Sequence, residues 1–219
     1  MPREYEDRFH EAQANLNSHR GFDPGALDLF EDLEVLADYG AYSETTRLLV
    51  ELNRSLHHPQ LFSKFTNCLS ASRKEKLLEQ HYFPYRNKVE SEITEALEKG
   101  EEVLHISIHS FTPVLDGEVR KTDIGLLFDP SRSGEKDFCK QFRQRVKGLN
   151  PELVTRFNYP YLGIADGFPT YLRKKFPRGY NGIELEVNQK FVDDRNRMQE
   201  EIKKVLSQAL KEVLQKGLI

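Results

Sequence analysis

His109 closes the run Val103-Leu104-His105-Ile106-Ser107-Ile108-His109 and is followed by Ser110-Phe111-Thr112-Pro113. Its imidazole therefore sits at the C-terminal edge of an expected strand, where open α/β sheets place their ligand sites. A neutral imidazole there can bind a metal or act as a base, and the plainer alternative is a histidine merely hydrogen-bonded at a strand end. In Ile183-Glu184-Leu185-Glu186-Val187-Asn188 the apolar residues share one face, so Glu184, Glu186 and Asn188 project from the other. Two carboxylates on one side, in a partly dry pocket near a cation, allow one of them to work as a general acid or base. A half-exposed strand with a solvated polar face explains the same pattern. Asn53-Arg54 sets an amide beside a guanidinium whose planar fork suits a carboxylate. Arg120 and Asp123 flank the start of another apolar run and fit either a site or a local ion pair. His57-His58 is weak as a metal motif, because adjacent side chains in an extended segment point apart.

The elements that must position these residues follow from hydrophobic spacing. Asp23-Pro24-Gly25 is a helix-start signal, with Asp as the cap, and Leu27, Leu29, Phe30, Leu33 and Leu36 give a helix over 24–38. Thr45-Thr46-Arg47-Leu48-Leu49-Val50-Glu51-Leu52 is β-branched and apolar and predicts a buried strand ending at Asn53-Arg54, followed by a long connection over 55–72. Two helices are expected over 73–100, broken at Phe83-Pro84 and stopped by Gly100. Strands are expected over 103–109, 123–130 and 183–188, with amphipathic helices over 133–147 and 193–214. Strands alternating with helices predict an α/β layered fold with a parallel or mixed sheet, in a single domain over 1–219.

The chain has 219 residues, 38% hydrophobic and 31% charged, and no apolar run approaches the roughly 20 residues that span a bilayer. The charged start Met1-Pro2-Arg3-Glu4-Tyr5-Glu6-Asp7 lacks an apolar signal core, so a cytoplasmic location and no membrane partner are expected. Lys+Arg 32 against Asp+Glu 35, interspersed, argues against nucleic acid. Cys68 and Cys139, far apart, form neither a disulfide framework nor a thiolate zinc knuckle.

Five stretches in order resemble the N-formylglutamate amidohydrolase family. They are Ser18-His19-Arg20-Gly21-Phe22-Asp23-Pro24-Gly25-Ala26, Arg47 through Asn53-Arg54-Ser55, His109-Ser110-Phe111-Thr112-Pro113-Val114, Arg120 through Asp129-Pro130, and Gly182 through Glu186-Val187-Asn188-Gln189. The resemblance implies a twisted mixed sheet sandwiched between helices, like that of zinc carboxypeptidases and related phosphorylase/hydrolase folds, with one zinc ion at the C-terminal strand edge. The implied reaction is zinc-assisted hydrolysis of an amide on a small-molecule N-acylated amino acid such as formylglutamate. By resemblance His109 is a zinc ligand and Glu186 the general base on zinc-bound water. Asn53 and Arg54, with Arg120, hold the substrate carboxylate. His19, Asp23, Asp123 and Glu184 line the site or support it.

The chain departs from the family in one respect that bears on the chemistry. Family members carry an upstream strand ending in a Cys-Glu-His-like or Pro-His-Ser-Gly-like segment with the other zinc ligands, ahead of a Val-Pro-x-x-Tyr-like stretch that Met1-Pro2-Arg3-Glu4-Tyr5 resembles. Two expectations result: the ligand segment precedes the sequence given, or the site is rebuilt from residues such as His19, Asp23 or His57. A catalytic zinc site needs about three protein ligands. A non-catalytic relative that binds an amino-acid-like carboxylate without turnover is the alternative function, and inherited, idle motif residues in an interaction module are a third. A smaller departure is Glu51, where the family more often has Asp ahead of Asn-Arg.

Overall fold

The computed structural model describes residues 2–217. A 3-10 helix, Arg3–Ala12, runs into the single turn α1 (Gln13–Leu16) and is followed by α2 (Ala26–Glu34). A long irregular stretch leads to α3 (Ala71–Leu77), a π-helical turn (Leu78–Tyr82) and α4 (Phe83–Glu98). Next come β1 (Val103–Phe111), the short pair β2 (Val114–Leu115) and β3 (Glu118–Val119), β4 (Ile124–Leu127), α5 (Ser133–Leu149), β5 (Thr155–Phe157) and α6 (Phe168–Lys175). The chain ends with β6 (Tyr180–Asn188), a 3-10 turn (Gln189–Phe191) and α7 (Glu200–Leu214). The main sheet has the order β1-β6-β4-β5, with β1 parallel to β6, β6 antiparallel to β4, and β4 parallel to β5. It is the mixed sheet between helices that the sequence predicts.

Alternation along β6 decides which face is dry. Ile183, Leu185 and Val187 join Ile124 and Leu126 of β4 against Leu29 and Leu33 of α2, Phe138, Phe142 and Val146 of α5, and Ile202, Leu206, Leu210 and Val213 of α7. Those helical residues recur every three or four positions, so each helix presents one stripe. Burying each such side chain contributes about 1.5–3 kcal/mol. On the opposite side Val89 and Ile93 of α4 pack with Phe168 and Leu172 of α6 and with Tyr180. Beside them, Tyr5, Phe9 and Ala12 of the first helix pack on Leu49, Val50, Leu61, Leu77 and Tyr82.

Several expectations need correction. The segment 45–52 is not a strand. Its backbone closes turns, Leu49 N donating to Thr46 O at 2.9 Å and Arg54 N to Glu51 O at 3.2 Å, while Arg47 N donates to Gly21 O at 3.0 Å. The apolar run is buried all the same, because Leu49 and Val50 sit in a cluster that needs apolar side chains but no sheet partner. Asp23 does not cap α2. Gly25 occupies the cap position with φ +78, where an added Cβ would also meet Val192 Cγ2 at 2.7 Å, so a glycine is required there. The last helix begins at Glu200, not near 193, because Asp193 accepts from the backbone N–H groups of Arg195 and Arg197, both at 2.9 Å, and holds a turn. Two α-helices span 71–98 as expected and the second starts at Phe83, but a π-helical turn joins them instead of a break, with Pro84 in the first turn of α4, where its missing N–H is tolerated. Sequence spacing also gives no sign of β5 or α6.

Among the described residues β1 is paired only through β6, and its other side borders a cleft of about 1690 Å³. The cleft is lined by β1, by Phe30, Leu33 and Leu36 from the α2 side and by Tyr85, Val89 and Ile93 from α4. Asp23, Arg47, Asn53 and His109 also contribute to its lining.

Candidate active site

Parallel pairing of β1 with β6 places Ser107 opposite Glu184 and His109 opposite Glu186. All four side chains project from the face away from the main core, which follows from the apolar alternation that buries Ile183, Leu185 and Val187. On β4 the residue opposite Glu186 is Gly125. An added Cβ there would lie 2.0 Å from the Tyr159 carbonyl oxygen and 3.1 Å from Glu186 Cβ, so only glycine lets the 159–167 loop close over this side.

Asp23 joins the cluster from the turn before α2. Its Oδ2 faces His109 Nδ1 at 2.8 Å, and its Oδ1 accepts from Arg47 Nη2 at 2.7 Å. Arg47 Nε also faces Glu51 Oε2 at 3.3 Å. The other ring nitrogen, His109 Nε2, lies 3.0 Å from Ser107 Oγ and 3.9 Å from Glu184 Oε1. Glu184 Oε1 accepts from Asn53 Nδ2 at 3.0 Å, while Asn53 Oδ1 accepts from Phe168 N at 2.7 Å. The amide of Asn53 is thus fixed in orientation by one donor and one acceptor.

Charge is distributed unevenly over this cluster. Burial raises the Glu186 carboxyl to about 7; the nearby His109 offsets part of the rise, and Asp23 and Glu184 add to it. Its Oε2 is buried with no hydrogen-bond partner among the described residues, which is costly unless something else meets it. Burial disfavours the charged form of His109, but the Asp23 hydrogen bond and charge, with Glu186 and Glu184, more than reverse this and push it up to about 9. Burial likewise works against ionised Asp23, yet Arg47 and His109 hold it below the usual carboxylate range. Arg47 is pushed up by Asp23 and Glu51 despite its burial. A carboxylate poised near neutrality, with a neighbour of opposite charge, is what proton transfer at pH 7 requires.

The structure brings together His109, Glu186, Glu184, Asn53 and Asp23 from the expected set. Arg54 follows Asn53, but its guanidinium donates to the Asp166 carbonyl, at the edge of the cluster next to α6. The Arg120 guanidinium lies 5.7 Å from the Phe111 ring centroid and 5.4 Å from that of Tyr161, and donates to Thr112 O at 3.4 Å. Asp123 is buried at the start of β4, where Oδ2 accepts from Val154 N at 2.8 Å and Lys190 pairs with it, a contact that ties β4 to β5. His19 is half-buried in the turn after α1, outside the lining of the cleft. His57 is exposed, 3.3 Å from Ser55 Oγ.

Arg47 and Ser107 also belong to the cluster without a role read from the sequence, and Glu51, noted there only as a departure from the family, joins them. The i, i+4 spacing of Arg47 and Glu51 was the available signal, hidden by an expected strand that would have sent the two side chains to one face without bending them toward Asp23.

A family model described as N-formylglutamate amidohydrolase matches residues 1–192. Among solved structures, the gene product Atu2144 from Agrobacterium tumefaciens superposes with a TM-score of 0.80 at 23% identity, over 99% of this chain and 86% of that one. An N-formylglutamate amidohydrolase from Ralstonia eutropha JMP134 superposes with a TM-score of 0.64 at 13% identity, over 99% of this chain and 88% of that one. At these identities the superpositions establish the shared fold. No curated protein matches the chain. Because the family model spans most of the sequence, including the segments that carry Asp23, Asn53, His109 and Glu186, the chain belongs to the N-formylglutamate amidohydrolase family of hydrolases.

Proposed function

We propose that this chain hydrolyses the amide of a small N-acylated amino acid of the N-formylglutamate class, with Glu186 as general base and Asn53 and Arg54 receiving the substrate carboxylate. One observation carries the reading: the buried Oε2 of Glu186, without a hydrogen-bond partner among the described residues, in a carboxyl raised to about 7, on the strand position next to His109. At that atom Glu186 takes a proton from the attacking water and returns it to the departing amine nitrogen. Glu184, held by Asn53, adds negative charge that keeps the Glu186 proton affinity high. The Asn53 Nδ2 hydrogen not given to Glu184 and the fork of Arg54 orient the carboxylate, and Arg120, between Phe111 and Tyr161, extends the cationic side.

Zinc enters this proposal at His109, with Asp23 beside it. An imidazole nitrogen is a donor that zinc takes, and Asp23, whose two oxygens already meet His109 and Arg47, would orient that ring. The donor set fits in kind but falls short in number, since no group of three or more metal-binding side chains converges among the described residues. Zinc held there would lower the pKa of a water to about 7 and polarise the scissile carbonyl. The competing reading is binding of an amino-acid-like carboxylate without turnover.

Formate release from N-formyl-L-glutamate, followed by NMR with and without added zinc, distinguishes the two. We expect release by the unaltered chain and a loss of about 10²- to 10⁴-fold in Glu186→Gln. Calorimetric binding of the substrate with no formate released supports the carrier reading, and neither binding nor release defeats both.

A further inference from the structure

Arg86 of α4 is 3% exposed, and burial pulls its pKa down. Buried charges are normally paired, yet the nearest acid along its helix, Glu90, is engaged by Lys175. The guanidinium is instead surrounded by ring faces and carbonyls. Its Cζ lies 3.9 Å from the Phe168 ring centroid, 4.7 Å from that of Tyr171 and 4.8 Å from that of Tyr82. Its Nη1 donates to Leu52 O at 3.0 Å and reaches Arg54 O at 3.5 Å, and Tyr82 OH donates to the same Arg54 carbonyl at 2.8 Å.

These contacts converge on the backbone on both sides of Asn53. From the α6 side, Phe168 N meets the Asn53 side chain, and Ser55 N donates to Asp166 Oδ2 at 3.1 Å. The turn 52–55 has no strand to hold it, so its position depends on these two walls. Tyr82 closes the π-helical turn, a local irregularity often retained at functional positions, and Arg86 follows one turn later.

We propose that Arg86 is a positioning residue for the carboxylate clamp: packed among Phe168, Tyr171 and Tyr82 and bonded to the Leu52 carbonyl, it fixes the turn from which Asn53 and Arg54 meet the substrate. The inference rests on the reading that this clamp receives the substrate carboxylate. A lysine at this position keeps the charge and a donor but not the flat fork that stacks on the rings. A methionine keeps the packing and loses the hydrogen bond to the turn.

The test measures kcat and KM of Arg86→Met, Arg86→Lys, Tyr82→Phe and Arg54→Ala on N-formyl-L-glutamate and on its α-carboxamide. Arg86→Met is expected to raise KM for the acid by about 10- to 100-fold, in line with the loss of other orienting partners, with kcat within a few-fold. It also narrows the preference for acid over amide. Arg86→Lys recovers part of the loss, and Tyr82→Phe shifts KM the same way by a smaller factor. Should Arg86→Met fail to fold, Arg86→Lys and Tyr82→Phe carry the comparison. An unchanged KM in folded variants, or equal losses on acid and amide, overturns the proposal. If Arg54→Ala raises KM for the acid while the Arg86 and Tyr82 variants do not, only this inference fails. If the unaltered chain neither binds nor cleaves the acid, the clamp reading fails and takes this one with it.

Discussion

His109 owes its orientation to Asp23, which holds one ring nitrogen while the other faces Ser107 and Glu184. An amide in place of the Asp23 carboxylate keeps the shape but removes the negative charge that stabilises the imidazolium and the Arg47 pair. Asp23→Asn is therefore expected to lower kcat/KM by about 10- to 100-fold with little change in fold, checked by steady-state kinetics alongside circular dichroism. Retention of full activity would remove Asp23 from the working cluster. At this scale the sequence is a good guide where strand alternation sets direction: Glu184 and Glu186 share a face because Ile183, Leu185 and Val187 must be buried. It is a poor guide where loops set direction. Arg54 ends on a carbonyl of the 159–167 loop, and Arg47 reaches Asp23, through backbone turns that no local spacing encodes.

Among elements, β1 is the one whose register matters most, since a slip of one residue would turn His105, Ser107 and His109 toward the core. His105 anchors that register, with Nδ1 2.8 Å from the Tyr180 hydroxyl and its ring edge-on to Phe168. Burial, with the positive charges of His109 and Arg173, pushes its pKa down to about 4. The unfolded chain binds this proton with a pKa near 6.5, so the contribution of His105 to folding stability is complete above about pH 6.5 and is lost as pH falls toward about 4. The shift corresponds to about 1–3 kcal/mol after allowance for partial exposure. Urea midpoints of the unaltered chain and His105→Gln, measured from pH 7.5 to 4, are expected to show a shallower acid limb in the variant. Identical limbs would remove His105 as the source. Of the elements found from sequence, β1, β6, α2, α4, α5 and α7 carry periodic patterns, and β4 is a short apolar run ended by Pro130. Those missed, β5 and α6, are too short for a period to emerge, and the run over 45–52 shows that an apolar, β-branched segment satisfies burial equally well as a series of turns.

Across the whole molecule, the two sides of the sheet are joined near its far end by a buried ion pair. Glu135 of α5 is fully buried; its Oε1 faces Arg173 Nε of α6 at 2.8 Å and accepts from Gly182 N at 3.1 Å, and its Oε2 accepts from Asp129 N at 2.8 Å. Arg173 donates onward to the carbonyls of Gly163 and Gly182, both at 2.6 Å. One pair thus links α5, α6, β6 and the loop that closes over Gly125 beside Glu186. Removing only the acid leaves a buried guanidinium without its counter-charge, a loss of about 3–5 kcal/mol, large against the 5–15 kcal/mol that holds a typical domain folded. Replacing both residues with apolar ones of similar volume removes the desolvation cost along with the attraction and is expected to recover part of the loss, since Asp129 N, Gly182 N and Arg132, whose Nε faces Glu135 Oε1 at 3.2 Å, still lose their partner. Urea unfolding of Glu135→Leu, Arg173→Met and the double variant measures the coupling directly. A double variant as unstable as the sum of the singles would mean that the carbonyl and N–H contacts of each residue, and not their mutual attraction, hold the two faces together.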